Sequence, residues 1–78
     1  MLEELLICLA KNLVNQPEAV SVAVSTKEDG TTLYELRVAE GEMGRVIGRQ
    51  GRIAKAIRSV MKAAAAKTGE RIQVDIVG

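Results

Sequence analysis

Three stretches of this 78-residue chain alternate apolar and polar residues with a period of two, and that pattern leaves little choice of fold. Val20, Val22 and Val24 alternate with Ser21, Ala23 and Ser25. Tyr34, Leu36 and Val38 alternate with Glu35 and Arg37 in the segment 31–38, and Ile72, Val74 and Ile76 alternate with Gln73 and Asp75. Successive side chains of a strand point to opposite faces, so each stretch has one face for a core and one for water. Three such strands predict a sheet that is wet on one side and covered on the other. Glu28-Asp29-Gly30 is a turn between the first two, Asp-Gly being a favoured hairpin pair. The third strand, 71–77, follows a connection long enough for a helical crossover. It is therefore expected parallel to 31–38, with a right-handed connection.

The cover must come from helices. At 100° per residue, Leu2, Leu5, Leu6, Leu9 and Leu13 form one stripe of a helix over 2–14, with Ile7, Ala10 and Val14 on a weaker far stripe. Asn15, Gln16 and Pro17 end that helix. Glu40 to Ile47 has room for a short helix, Gly48-Arg49-Gln50-Gly51 interrupts it, and residues 52–67 form a long alanine-rich helix with Gly69 as its C-terminal cap. The order α-β-β-α-α-β predicts an α+β domain spanning 1–78, with a three-stranded mixed sheet and three helices packed on one face.

Composition removes several functions. There is no His, the commonest general base and metal ligand, and a lone Cys excludes an intrachain disulfide or a cysteine-based zinc site. One aromatic residue, Tyr34, argues against the stacking platforms of many single-strand binders. The acidic residues are scattered over turns and helix ends, and Ser and Thr lack a His partner. No catalytic residue, metal or cofactor is expected, and an enzyme is the reading with least support. The N-terminus carries Glu3 and Glu4, and its longest apolar run, Leu5 to Ala10, is too short for a signal-peptide core or a membrane span. A cytoplasmic protein is expected, and Cys8, read as a core or half-buried small hydrophobe, suits a reducing compartment.

The net charge of +1 conceals an asymmetry. Residues 1–43 hold 3 basic and 8 acidic side chains, whereas residues 44–71 hold eight cations (Arg45, Arg49, Arg52, Lys55, Arg58, Lys62, Lys67 and Arg71) against Glu70 alone. Such a split points to a polyanion partner, unless the cations are merely a solvated helix face. They flank a Gly-x-x-Gly break between two helices, which exposes backbone N–H groups at the start of the second. Those amides and the positive helix end suit a phosphate, and Arg45, Arg49, Arg52 and Lys55 surround it with charge. Glycine there lets a sugar-phosphate backbone come close. The break is neither a Walker A loop, which needs Gly-Lys followed by Ser or Thr, nor a dinucleotide fingerprint, whose glycine spacing differs.

The run Gly44-Arg45-Val46-Ile47-Gly48-Arg49-Gln50-Gly51-Arg52-Ile53-Ala54-Lys55-Ala56-Ile57-Arg58 resembles the Ile-Gly-x-x-Gly-x-x-Ile signature of KH domains. The order of elements is that of the type II, bacterial arrangement. The likeness extends over the whole chain, to the small stand-alone bacterial KH proteins of the KhpA-like branch. The resemblance implies single-stranded RNA as the ligand, about four nucleotides being clamped by the Gly-x-x-Gly loop with bases in an aliphatic groove. By motif position Gly48, Arg49, Gln50 and Gly51 are the clamp and Ile47 and Ile53 line the groove. Val46 belongs to the core, and Val38 and Ala39 are expected to form the opposite wall. Two departures stand out. Arg49 occupies a place where Lys is frequent, and Gly41 predicts that the short helix starts late.

A second surface is expected on the long helix. Ile53, Ala56, Ile57, Val60 and Ala64 are read as facing the sheet, which leaves Ala54, Met61 and Ala65 on a flank beyond it. That flank is either a dimer contact or the seat of the first helix, and the far stripe of Ile7, Ala10 and Val14 is a weaker contact candidate. The resemblance implies a homodimer, or a heterodimer with a larger KH-containing RNA-binding protein. Two functions therefore compete. One is a non-catalytic RNA binder, working as a dimer in RNA regulation or chaperoning. The other is a protein-interaction module whose RNA binding is secondary.

Overall fold

The computed structural model describes residues 2–77, so Met1 and Gly78 of the expected domain lie outside the described residues. Its elements are α1 (Leu2–Lys11), β1 (Ser21–Thr26), β2 (Thr32–Arg37), α2 (Met43–Ile47), α3 (Arg52–Ala66) and β3 (Ile72–Val77), with single 3₁₀ turns at Pro17–Ala19 and Arg49–Gly51. The sheet order is β1-β2-β3. β1 pairs antiparallel with β2 and β3 pairs parallel with it, so the sheet is mixed as the hairpin turn and the helical crossover predict. The Asp29-Gly30 turn closes the hairpin, with Lys27 N–H on Thr31 C=O at 2.8 Å and Gly30 N–H on Lys27 C=O at 3.0 Å. α2 begins only at Met43, two residues past Gly41.

The register assigns the faces. Tyr34, Leu36 and Val74 point into the core beside Leu6, Ala10, Val46, Ile57 and Met61. Glu35 and Asp75 stand side by side on the open face. α3 ends in a Schellman closure, Glu70 N–H bonding Ala65 C=O at 3.1 Å and Gly69 N–H bonding Ala66 C=O at 3.3 Å.

α3 is rotated from the expected orientation. In α3 the buried residues are Ala54, Ile57, Met61 and Ala65, whereas Ala56 is exposed and Val60 is 44% exposed. Ala54, Met61 and Ala65 are thus core and offer no surface to a second molecule. The apolar arc of α3 covers more than half its circumference and much of it is alanine, which has little area to bury, so pattern alone does not fix its rotation. Arg58 Nε donates to the Val74 carbonyl at 3.1 Å, a bond that the observed rotation permits between the cationic edge of the helix and β3. α1 keeps its expected stripe, Leu2, Leu5, Leu9 and Leu13 packing on the core around fully buried Leu6, and Ala10 is fully buried beside them. Ala10 is therefore core, and Val14, beyond the helix end, packs on the core as well. Cys8 is exposed rather than half-buried.

Candidate nucleic-acid interface

α2 is a single turn and a half that ends on Gly48, whose N–H bonds Gly44 C=O at 2.9 Å. Gly48 then takes φ +74° and ψ 175°, a conformation open essentially to glycine alone. Gln50 (φ 56°, ψ 23°) and Gly51 (φ 74°, ψ 15°) are both left-handed before α3 starts at Arg52. Three of the four loop residues thus have positive φ. Gln50 is the one non-glycine residue to do so among the described residues, a local strain of the kind that collects at binding sites.

The two glycines serve different ends. A Cβ on Gly48 would lie 2.6 Å from Ile53 Cγ1 and 3.0 Å from Ile53 Cβ, so Gly48 makes room for a neighbour of its own chain. A Cβ on Gly51 would meet nothing within 4 Å. Close approach by a ligand is therefore available at Gly51, while Gly48 is a packing requirement.

Around the loop Arg45, Arg49, Gln50, Arg52 and Lys55 are exposed, and Ile47 is half-buried. Val46 is fully buried, as the motif reading placed it. Ile53 departs from that reading. It lies with Leu9, Leu13, Ala56, Ile57 and Val60 along an apolar groove of about 390 Å³ between α1 and α3, roughly opposite Lys55 on the helix. Val38 and Ala39 are also displaced from the expected role. β2 is the central strand, Val38 packs on the core, and Ala39 spends its carbonyl on Glu42 N–H at 3.0 Å. The strand beside the cationic edge of α3 is β3. Thr32 N–H bonds Arg71 C=O, so alternation turns the backbone groups of Ile72, Val74 and Ile76 to the open edge, where Arg58 takes one carbonyl.

Glu42 is the residue that sequence reasoning missed. It is 6% exposed, and its carboxylate accepts the N–H groups of Asn15 at 2.6 Å and Gln16 at 2.9 Å, with Arg45 Nε at 3.5 Å. It ties the end of α1 to the helix that carries the loop. No local pattern marks such a pairing across 27 residues. The Arg45–Glu42 contact is the sole ion pair among the described residues, so the other cations of 44–71 have no carboxylate at contact distance.

The geometry can be set beside known proteins. A family model described as "KhpA/KhpB, KH domain" matches residues 3–76. The chain belongs to this family of KH domains. It is 51% identical over 76 residues to a Clostridium acetobutylicum protein called "RNA-binding protein KhpA", covering 97% of this chain and 100% of that one. A Listeria monocytogenes protein of the same name is 44% identical over 77 residues, covering 97% and 99%. Among solved structures, Era in complex with MgGDPNP and nucleotides 1506–1542 of 16S ribosomal RNA superposes with a TM-score of 0.64 at 16% identity. The alignment covers 96% of this chain but 28% of the Era chain, so it speaks to the KH fold alone. Among the described residues no helix is long and apolar enough to cross a membrane.

Proposed function

We propose that this KH domain is a non-catalytic binder of single-stranded RNA. The observation that carries the reading is the Gly48–Gly51 loop itself. It holds a strained, positive-φ backbone open at Gly51, beside exposed Arg49, Arg52 and Lys55, none of which has a carboxylate at contact distance among the described residues. Backbone amides and Arg45, Arg49, Arg52 and Lys55 supply phosphate contacts, and Ile47 with the open edge of β3 supplies a surface for bases. The names of the relatives support the same ligand. In this reading the protein works in the cytoplasm, in RNA regulation or chaperoning.

The test is Arg49→Asp combined with Gln50→Asp. RNA binding is lost while the circular dichroism spectrum and melting curve stay unchanged, and wild-type affinity falls steeply with salt. Undiminished binding by this variant at equal salt removes the loop from the interface, and parallel titration with DNA of the same sequence separates the two nucleic acids.

A single four-nucleotide grip is weak, and two linked grips gain by effective concentration. The Leu9, Leu13, Ala56 and Val60 groove is the apolar surface left for a partner, and it replaces the flank expected from the sequence. It serves a second copy, or a larger KH-containing protein. It also motivates the second reading, a protein-interaction module for which RNA is secondary.

A further inference from the structure

The cationic stripe of α3 does not end at the loop. Lys55, Arg58 and Lys62 continue it along one edge of the helix towards a groove of about 620 Å³ between the last turns of α3, the start of β3 and the β1–β2 turn. That volume lies within the range of small-ligand sites. Four cations line the groove: Lys27, Arg58, Lys62 and Arg71. Three are held by neutral oxygens. Lys27 Nζ donates to Gln73 Oε1 at 2.9 Å, Arg71 Nη2 to the Asp29 carbonyl at 2.7 Å, and Arg58 Nε to the Val74 carbonyl at 3.1 Å.

Carboxylates of Asp29, Glu70 and Asp75 line the same groove, each bonded to a neutral donor: Thr31 N–H, the Thr68 hydroxyl and the Gln73 amide. Hydrogen bonds from Thr31, and then the charges of Arg71 and Lys27, hold Asp29 below the usual carboxylate range. The groove thus offers oriented guanidinium and ammonium groups without ion pairs beside carboxylate and amide acceptors. A phosphate satisfies the first, and the exocyclic amine of a base satisfies the second. Such a mixture fits a nucleotide better than a bare polyanion.

We propose that this groove is a second part of the RNA track, taking nucleotides beyond the four held at the loop. Phosphate lies on Lys27, Lys62 and Arg71, Asp75 and Gln73 read a base edge, and Arg58 bridges the two parts through its free Nη groups. The proposal rests on the RNA reading above. From Arg52 to Ala65 the helix rises about 20 Å, the length of about six stacked nucleotides.

The experiment is an amide-NMR titration of the intact chain with random-sequence RNA tetramers and octamers. Tetramers are expected to shift Gly48–Gly51 alone, and octamers also Gly30, Thr31 and Arg71–Asp75. The exposed pair Lys27→Ala with Arg71→Ala keeps tetramer affinity, loses octamer affinity several-fold and flattens the octamer's log–log salt slope by about 1.4, two contacts at about 0.7 each. Lys62→Ala, which leaves the turn untouched, gives half that change in slope. If the double variant keeps wild-type octamer affinity and slope, or if both lengths shift the same amides, the groove is not part of the track and the loop reading stands. If wild type binds neither length, the RNA reading fails and takes this proposal with it; if the loop variant binds octamers undiminished, the loop is not part of the track and a track running on from it is overturned.

Discussion

Alanine at Gly48 and alanine at Gly51 look like equivalent changes to one motif, yet the structure predicts unequal costs. At Gly48 an L-residue must hold φ +74°, ψ 175°, a region that costs about 1–3 kcal/mol. Its Cβ also falls 2.6 Å from Ile53 Cγ1 and 3.0 Å from Ile53 Cβ, and overpacking of that kind adds about 1–3 kcal/mol. The sum, about 2–6 kcal/mol and centred near 4, approaches the whole stability of a small domain. At Gly51 the conformation is left-handed helical and the space is open. The steric cost of about 1–2 kcal/mol is offset by about 0.4–1 kcal/mol from a stiffer unfolded chain, leaving about 1 kcal/mol. In a domain of this size each kcal/mol moves the melting temperature by about 4–8 °C. Thermal melts followed by circular dichroism should show a fall of about 5 °C for Gly51→Ala and of at least about 15 °C for Gly48→Ala. Trimming Ile53 to Ala in the Gly48→Ala background should recover about 1–2 kcal/mol, a coupling usual for residues in contact. Gly51→Ala, still folded, should lose RNA affinity. Equal melting losses for the two glycines, or no coupling between positions 48 and 53, would falsify the separation of packing from ligand approach.

Three further expectations are smaller in scope. Glu42→Ala removes two charge-assisted bonds to amides of exposed residues that water can partly satisfy, so it should cost about 2–3 kcal/mol and lower the melting temperature by about 10–20 °C; a shift under about 3 °C means that the strap is idle. Val60→Asp should abolish any dimer in light scattering with the fold intact, because Val60 is 44% exposed, whereas Met61→Asp, at 0% exposure, should unfold the chain; an unchanged mass for Val60→Asp rules out the α1–α3 groove as the contact. Burial, and then the charges of Glu70 and Glu3, raise the Tyr34 phenol above its ordinary value of about 10. The folded state therefore holds that proton longer than the unfolded one, so stability is flat below about pH 10 and declines as pH rises through the folded value. As the single Tyr, with no Trp, it is read directly by tyrosinate absorbance, and an ordinary or lowered midpoint contradicts the assignment.

β2 and β3 were legible because period-two patterning is insensitive to context: Tyr34, Leu36 and Val74 go inward and Glu35 and Asp75 outward, whereas at β1 Val20 and Val22 pack on the core and Val24, expected beside them, is 47% exposed. The glycine break was legible as a break, and its motif named the family. The rotation of α3 was not legible. A helix with alanines at 54, 56 and 63–66 has too little contrast around its circumference, and the observed rotation is one that lets Arg58 reach a carbonyl 16 residues away. The same limit hid Glu42, whose partners Asn15 and Gln16 are distant in sequence. Counted from Ile47, the signature's last isoleucine falls at 54, where the chain has buried Ala54, so Ile53 stands one residue early and packs over Gly48. Local periodicity identifies elements, and long-range contacts decide which edge of an ambiguous element turns inward.

That choice of edge has an electrostatic consequence. Turning α3 towards β3 sets its cations beside the open strand edge, while the other face of the sheet presents Glu35 and Asp75 in register. The phosphates of a polyanion are repelled by that carboxylate pair and drawn to the cations at the edge of β3, so Asp75 is left to meet a base. The molecule measures 33 × 21 × 19 Å, and charges are screened over about 8 Å at physiological salt, so an approaching strand responds to the patch in front of it and not to the sum over the chain. A net charge of +1 therefore says little about affinity. What governs binding is the local run of cations from Arg49 to Lys62, none of which has a carboxylate at contact distance among the described residues: at the loop end Glu42 is buried and committed to Asn15 and Gln16, whereas Asp29, Glu70 and Asp75 temper the field around Arg58 and Lys62.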